Sequence, residues 1–130
     1  AQAVLRVQVE GELHLRPQFR RNAEAAAIAA LYQTARAHLT SGEDQKAVRQ
    51  CEEILTLADR MSPRPRELGD ALHMLGAIHL KRKSSALAVK CLERALVVRK
   101  MSSSGETAMA ATLVALGSAH ADLGSHAEAL

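Results

Sequence analysis

The chain is nearly without aromatic residues: one tyrosine, one phenylalanine and no tryptophan among 130 residues. That removes the stacking platform on which a single-stranded nucleic acid would be held. It also leaves Ala and Leu to fill the interior, which suits closely packed helices better than a sheet sandwich. Cysteine is scarce as well. Cys51 and Cys91 lie far apart with no C-x-x-C spacing, so neither a metal cluster nor a dense disulfide framework is implied. Each falls on an apolar helix face, where a free thiol acts as a small hydrophobe, and a reducing, cytoplasmic setting is the natural expectation. No apolar run approaches the roughly 18 residues of a membrane span. The formal net charge of +3 is mild and its Lys and Arg are scattered, so neither nucleic acid nor membrane is expected as a partner. Catalytic signatures are missing too: there is no phosphate-cradling glycine loop, no H-E-x-x-H, and no Ser or Cys nucleophile in a recognisable local motif. The expectation is a non-enzyme with no cofactor and no metal.

What is present is a period. Leu31, Leu72 and Leu113 stand 41 residues apart, as do Ala35, Gly76 and Gly117. His38, His79 and His120 repeat the offset, and so do Ala47, Ala88 and Ala129. Self-similarity at a fixed period of this size marks a helical solenoid. The expected fold is therefore all-α, a right-handed superhelical array of antiparallel helix hairpins. The length allows one ordinary domain with a real core.

Residues 1–21 do not fit the repeat. From Leu5 to Arg16 apolar and polar residues alternate strictly, which predicts a half-buried strand or a hairpin bent at Gly11. The competing reading is the last helix of a preceding repeat. Pro17 ends the segment, and the array spans 22–130: repeat 1 at 22–62, repeat 2 at 63–103, and a truncated repeat 3 at 104–130. In repeat 1, Ile28, Leu31, Ala35 and His38 line one helix; Ala47, Cys51, Ile54, Leu55 and Ala58 line the next. Gly42 suits the left-handed turn between them, and Ser62-Pro63-Arg64-Pro65 breaks the chain. In repeat 2, Leu72, Leu75, Gly76 and His79 face Ala88, Cys91, Leu92, Ala95 and Leu96. Lys83 stands where the flanking repeats have Gly42 and Gly124; a left-handed Lys costs about 1 kcal/mol there. Ser84 or Ser85 is placed to cap the second helix. Repeat 3 opens with Leu113, Leu116, Gly117 and His120, and Gly124 is expected to turn the chain into a helix barely begun at Leu130.

A glycine inside a helix costs about 1 kcal/mol against alanine. Gly76 and Gly117, with Ala35 at the equivalent place, are therefore read as positions where the two helices of one hairpin approach closely. Ala47, Ala88 and Ala129 are their small counterparts.

This arrangement resembles the tetratricopeptide repeat. Leu72-x-x-Leu75-Gly76-x-x-His79 followed by Ala88-x-x-x-Leu92-x-x-Ala95 follows that family's pattern, with Leu for its usual Trp, His for its Tyr and Leu for its Phe. The longer form typical of kinesin light chains is matched by the run Glu93–Lys100 and by the restart at Gly105-Glu106. The resemblance covers roughly Ala23 to Leu130. It implies a non-catalytic scaffold that binds a peptide or partner helix in a concave groove lined by its first helices. By position the groove residues would be Tyr32, Arg36, Leu39, His73, Ala77, Leu80, Val114 and Ser118, with Ala121 completing the third row. The asparagines with which kinesin light chains hold peptide backbone are absent from Leu72–Leu75 and Leu113–Leu116. A basic and Asn carboxylate clamp is absent too, with Arg36 its one candidate.

Other readings stand beside these. Equivalent residues of successive repeats sit about 10 Å apart, whereas a Zn–N bond is about 2 Å. His38, His79 and His120 are therefore packing residues rather than one metal site. Lys81-Arg82-Lys83 and Arg99-Lys100 read as surface charge on helix ends. The uncovered apolar face of repeat 3 predicts self-association through repeat ends or fraying after about Gly124. The alternatives for function are a structural spacer or oligomerisation arm, or the ligand-sensing region of a larger regulator such as a nucleotide-hydrolysing switch protein.

Overall fold

The structure is a computed structural model that describes residues 17–102 and 104–129, with side chains through Ser125. All regular structure among these residues is α-helical: α1 (Pro17–Thr40), α2 (Asp44–Asp59), α3 (Glu67–Lys81), α4 (Ser85–Met101) and α5 (Glu106–Ala129). The alternating segment Leu5–Arg16, read as strand or helix, lies outside the described residues. The first helix starts at Pro17 rather than near Ala23. Proline suits the first helical position, because its missing N–H would have had no partner there and its φ is already helical.

Each helix packs against its chain neighbours, and α1 also touches α3, as α3 touches α5; α2 and α4 meet through Asp59, which accepts from Arg94 at 2.9 Å. The central helix α3 is thus the one that contacts all four others. It is buried on two flanks. Leu68, Ala71, Met74 and Ile78 belong to the core shared with α1 and α2. Leu72, Leu75 and Gly76, the face legible from the repeat, are buried as well.

Both hairpin turns are closed in one way. Gly42 and Lys83 hold left-handed φ values of 81° and 63°. The Glu43 amide donates to the His38 carbonyl at 2.8 Å, and the Ser84 amide donates to His79 at the same distance. This is the six-to-one bond that ends a helix with a left-handed residue. One residue later the next helix begins, so the connection is as short as it can be. Ser84 sits at the N-cap of α4 but makes no side-chain cap bond, contrary to expectation. Its backbone is already fixed by the bond to His79 and by the Ala88 amide donating to its carbonyl.

Helix α5 departs from the sequence reading twice. It runs through Gly124 to Ala129 without turning. A helical glycine costs only about 1 kcal/mol, and a turn there gains nothing unless a following helix packs back. Among its described side chains the buried ones are Thr112 and Ala119, not Leu113 and Gly117. Ala119 joins Ala88 and Leu92 in a second small core, with Leu80, Ala115 and Leu116 packed against it.

Candidate partner-binding face

Because α3 is covered on both flanks, most of its solvent-reaching residues form one strip, Glu67, Asp70, His73 and Ala77, ending at Leu80 and Lys81; His79, also part-exposed, lies off it. Helices α1 and α5 both touch α3. Tyr32 on α1 is half-buried, and the Arg36 guanidinium lies 5.9 Å from its ring centroid, within reach of a cation–π attraction. Burial, then the nearby Asp70 carboxylate, push the Tyr32 hydroxyl above its ordinary pKa. Ala77, Val114 and Ser118 are open to solvent, Val114 at 71%. Leu39 and Leu80 are less available. They are half-buried and pack against the larger and the smaller core respectively.

His73 leads to residues that the repeat pattern does not announce. Its Nδ1 lies 3.2 Å from the Thr112 hydroxyl, which also accepts from Arg99 Nη1 and donates to the Ala108 carbonyl at 3.2 Å. A hydroxyl has one proton and two lone pairs, so these partners fit if His73 carries its proton on Nδ1. Arg99 donates in addition to the Ala108 carbonyl at 2.7 Å and to the Asp70 carboxylate at 2.9 Å. It is 6% exposed, a buried cation rather than the surface charge expected from the run Arg99-Lys100. Gly69 makes the room: a β-carbon there would lie 2.9 Å from Cγ of Arg99. Burial and the Arg99 charge hold the His73 imidazole below its ordinary pKa, with Asp70 opposing.

One repeat earlier, the positions of Asp70, Arg99 and Thr112 are Ala29, Ala58 and Ala71. Ala58 and Ala71 are buried and Ala29 is exposed, so where the second repeat holds a buried ion pair and a hydroxyl the first has alanines alone. Three alanines replaced together by three polar groups was a signal available in the sequence.

Two of the three repeated histidines have side-chain partners, and the two do not share one. His38 Nδ1 lies 2.8 Å from Gln50 Oε1 across the first hairpin. Burial lowers the pKa of His79, with Arg82 adding to the effect and Glu52 opposing it. His120 Nε2 is 4.0 Å from Glu93, the residue one period after Glu52. Among the described residues no three His, Cys, Asp or Glu side chains form a group that could hold a metal ion. No described helix is long and apolar enough to cross a membrane. Two open clefts lie off this face. One of about 480 Å³ runs along Lys83–Leu87 and Asp122–Leu123; the other, of about 530 Å³, lies between Asp59–Arg64 and Val98–Ser102. No known protein family, curated protein or solved structure matches the chain.

Proposed function

We propose that the chain is a non-catalytic, cytoplasmic interaction scaffold of tetratricopeptide-like hairpins that receives a peptide or partner helix across α1, α3 and α5. Tyr32, Arg36, His73, Ala77, Val114 and Ser118 line that face, with Leu39 and Leu80 as its floor. The observation that carries this reading is the solvent strip of α3 through Asp70, His73 and Ala77. Among the described helices the one that touches all the others leaves Asp70, His73 and Ala77 open along one side, between two helices that add an aromatic ring, a guanidinium and small side chains. Such a surface mixes an apolar floor with a few fixed polar groups, the composition of a peptide site. Tyr32 and Arg36 supply the residue types that dominate binding energy at interfaces.

The test uses peptides selected from a random library on the full chain. Tyr32→Ala with His73→Ala is expected to weaken their binding at least about tenfold, or 1.4 kcal/mol, with helix content retained. Unchanged affinity in a folded double variant would reject the face.

A further inference from the structure

The connection between α2 and α3 faces the end of α4 across a cleft that lies off the peptide face. The cleft holds about 530 Å³, with Arg60, Met61, Pro63 and Arg64 on one side and Val98 and Met101 on the other. The carboxylate among its described walls, Asp59, is already taken: Arg94 of α4 donates to both of its oxygens, at 2.9 and 3.2 Å. Arg64 stands 3.9 Å from the same group, and Arg60 has no ion pair among the described residues. Two guanidinium groups therefore line the cleft without a full counter-charge. One period later their places are held by Met101 and Gly105, so the hairpin packing does not call for cations there. Met101 is 77% exposed, while Val98 is buried and closes the floor.

We propose that this cleft binds a soluble aliphatic phosphate monoester, with the phosphate on Arg60 and Arg64 and the alkyl body along Met61, Val98 and Met101. A phosphate monoester carries about −1.5 to −2 charge at neutral pH. That matches two uncompensated guanidinium groups, where a carboxylate would answer only one. The planar guanidinium fork also suits a pair of phosphate oxygens. The rest of the wall is aliphatic, and the chain's two aromatic rings, Phe19 and Tyr32, are not part of it. A nucleotide base would find no stacking partner there. A short alkyl body meets methionine side chains, which adapt to irregular shapes. The volume lies within the range of small-molecule sites, about 300–1,000 Å³, and suits one short chain better than the paired acyl chains of a membrane lipid. This site does not depend on the peptide-binding reading, which uses Tyr32, His73 and the strip of α3.

Calorimetric titration of the full chain with hexyl phosphate is expected to show one-to-one binding. Hexanoate lacks the second charge and inorganic phosphate lacks the alkyl body, so each should bind at least about tenfold more weakly. Arg60→Gln with Arg64→Gln should weaken hexyl phosphate at least about tenfold. The circular dichroism of that variant should be unchanged, because both side chains are exposed. Met101→Ser should weaken hexyl phosphate and leave inorganic phosphate as it was. No binding at millimolar hexyl phosphate, a folded double variant that binds as well, or equal affinity for inorganic phosphate would each overturn the proposal. Binding to phosphatidate vesicles with none to hexyl phosphate would overturn it too, by assigning the two arginines to a lipid surface.

Discussion

Gly76 and Leu92 meet with no room for a methyl group between them: a β-carbon on Gly76 would lie 2.5 Å from Cγ of the leucine. Gly76→Ala should therefore destabilise the protein by about 1–3 kcal/mol through overpacking, although alanine is the better helix former by about 1 kcal/mol. The matching change Gly117→Ala meets open space. In dilute, monomeric solution it should stabilise by about 0.5–1 kcal/mol. Urea midpoints of the two variants check the opposite signs.

The buried pair Arg99–Asp70 sets a second expectation. Arg99→Ala leaves Asp70 and Thr112 without their donor inside the α3–α4–α5 junction and should cost about 2–4 kcal/mol. Asp70 keeps a fifth of its side chain exposed, which holds the cost below that of a fully buried pair. Adding Asp70→Ala and Thr112→Ala recreates the alanine junction of the first repeat. The triple variant should lose less than the sum of its parts, as a multiple-mutant cycle would measure.

Stability should fall on acidification through His73. Its folded pKa lies below the ordinary value because burial and Arg99 disfavour the charged ring. Between the ordinary and the depressed values the unfolded chain binds the proton first. The contribution is thus whole above the ordinary imidazole pKa and is lost as pH falls through the folded one. Melting temperature should drop as pH falls below the ordinary imidazole value of about 6.5, and His73→Gln should flatten that slope. His79, shifted in the same direction, would leave a residual slope.

Cys51 is fully buried beside Met74, and burial pushes its thiol up to about 12. A thiolate-directed reagent should modify it only when the chain unfolds. Cys91, half-buried and less strongly shifted, should react sooner. Mass spectrometry of partially labelled protein gives the order.

Much of the hairpin order is legible in the sequence, because small and branched residues recur at one period and the left-handed turn recurs with them. Lys83 adopts the conformation that Gly42 predicts, since the bonds closing the turn leave no other. The packing of α5 is less legible. Leu113 and Gly117 carry the pattern of a buried face, but burial needs a second surface, and periodicity within one helix does not say whether that surface is present. Arg99 is illegible for another reason. Its neighbours Val98 and Lys100 suit a helix end, while the groups that hold it, Asp70, Thr112 and Gly69, stand far away in the sequence. At the candidate face the exposed side chains Arg36, Ala77, Val114 and Ser118 follow from the repeat register alone. The tie between His73 and Thr112, and the turning of Leu39 and Leu80 towards the cores, needed the three-dimensional arrangement.

The most direct measurement is an amide chemical-shift map of the full chain titrated with a peptide selected on it. The account predicts that the largest shifts cluster at Tyr32, Arg36, His73, Ala77, Val114 and Ser118, across α1, α3 and α5. A footprint confined to α2 and α4, or to the clefts beside Lys83 and Met61, would contradict it.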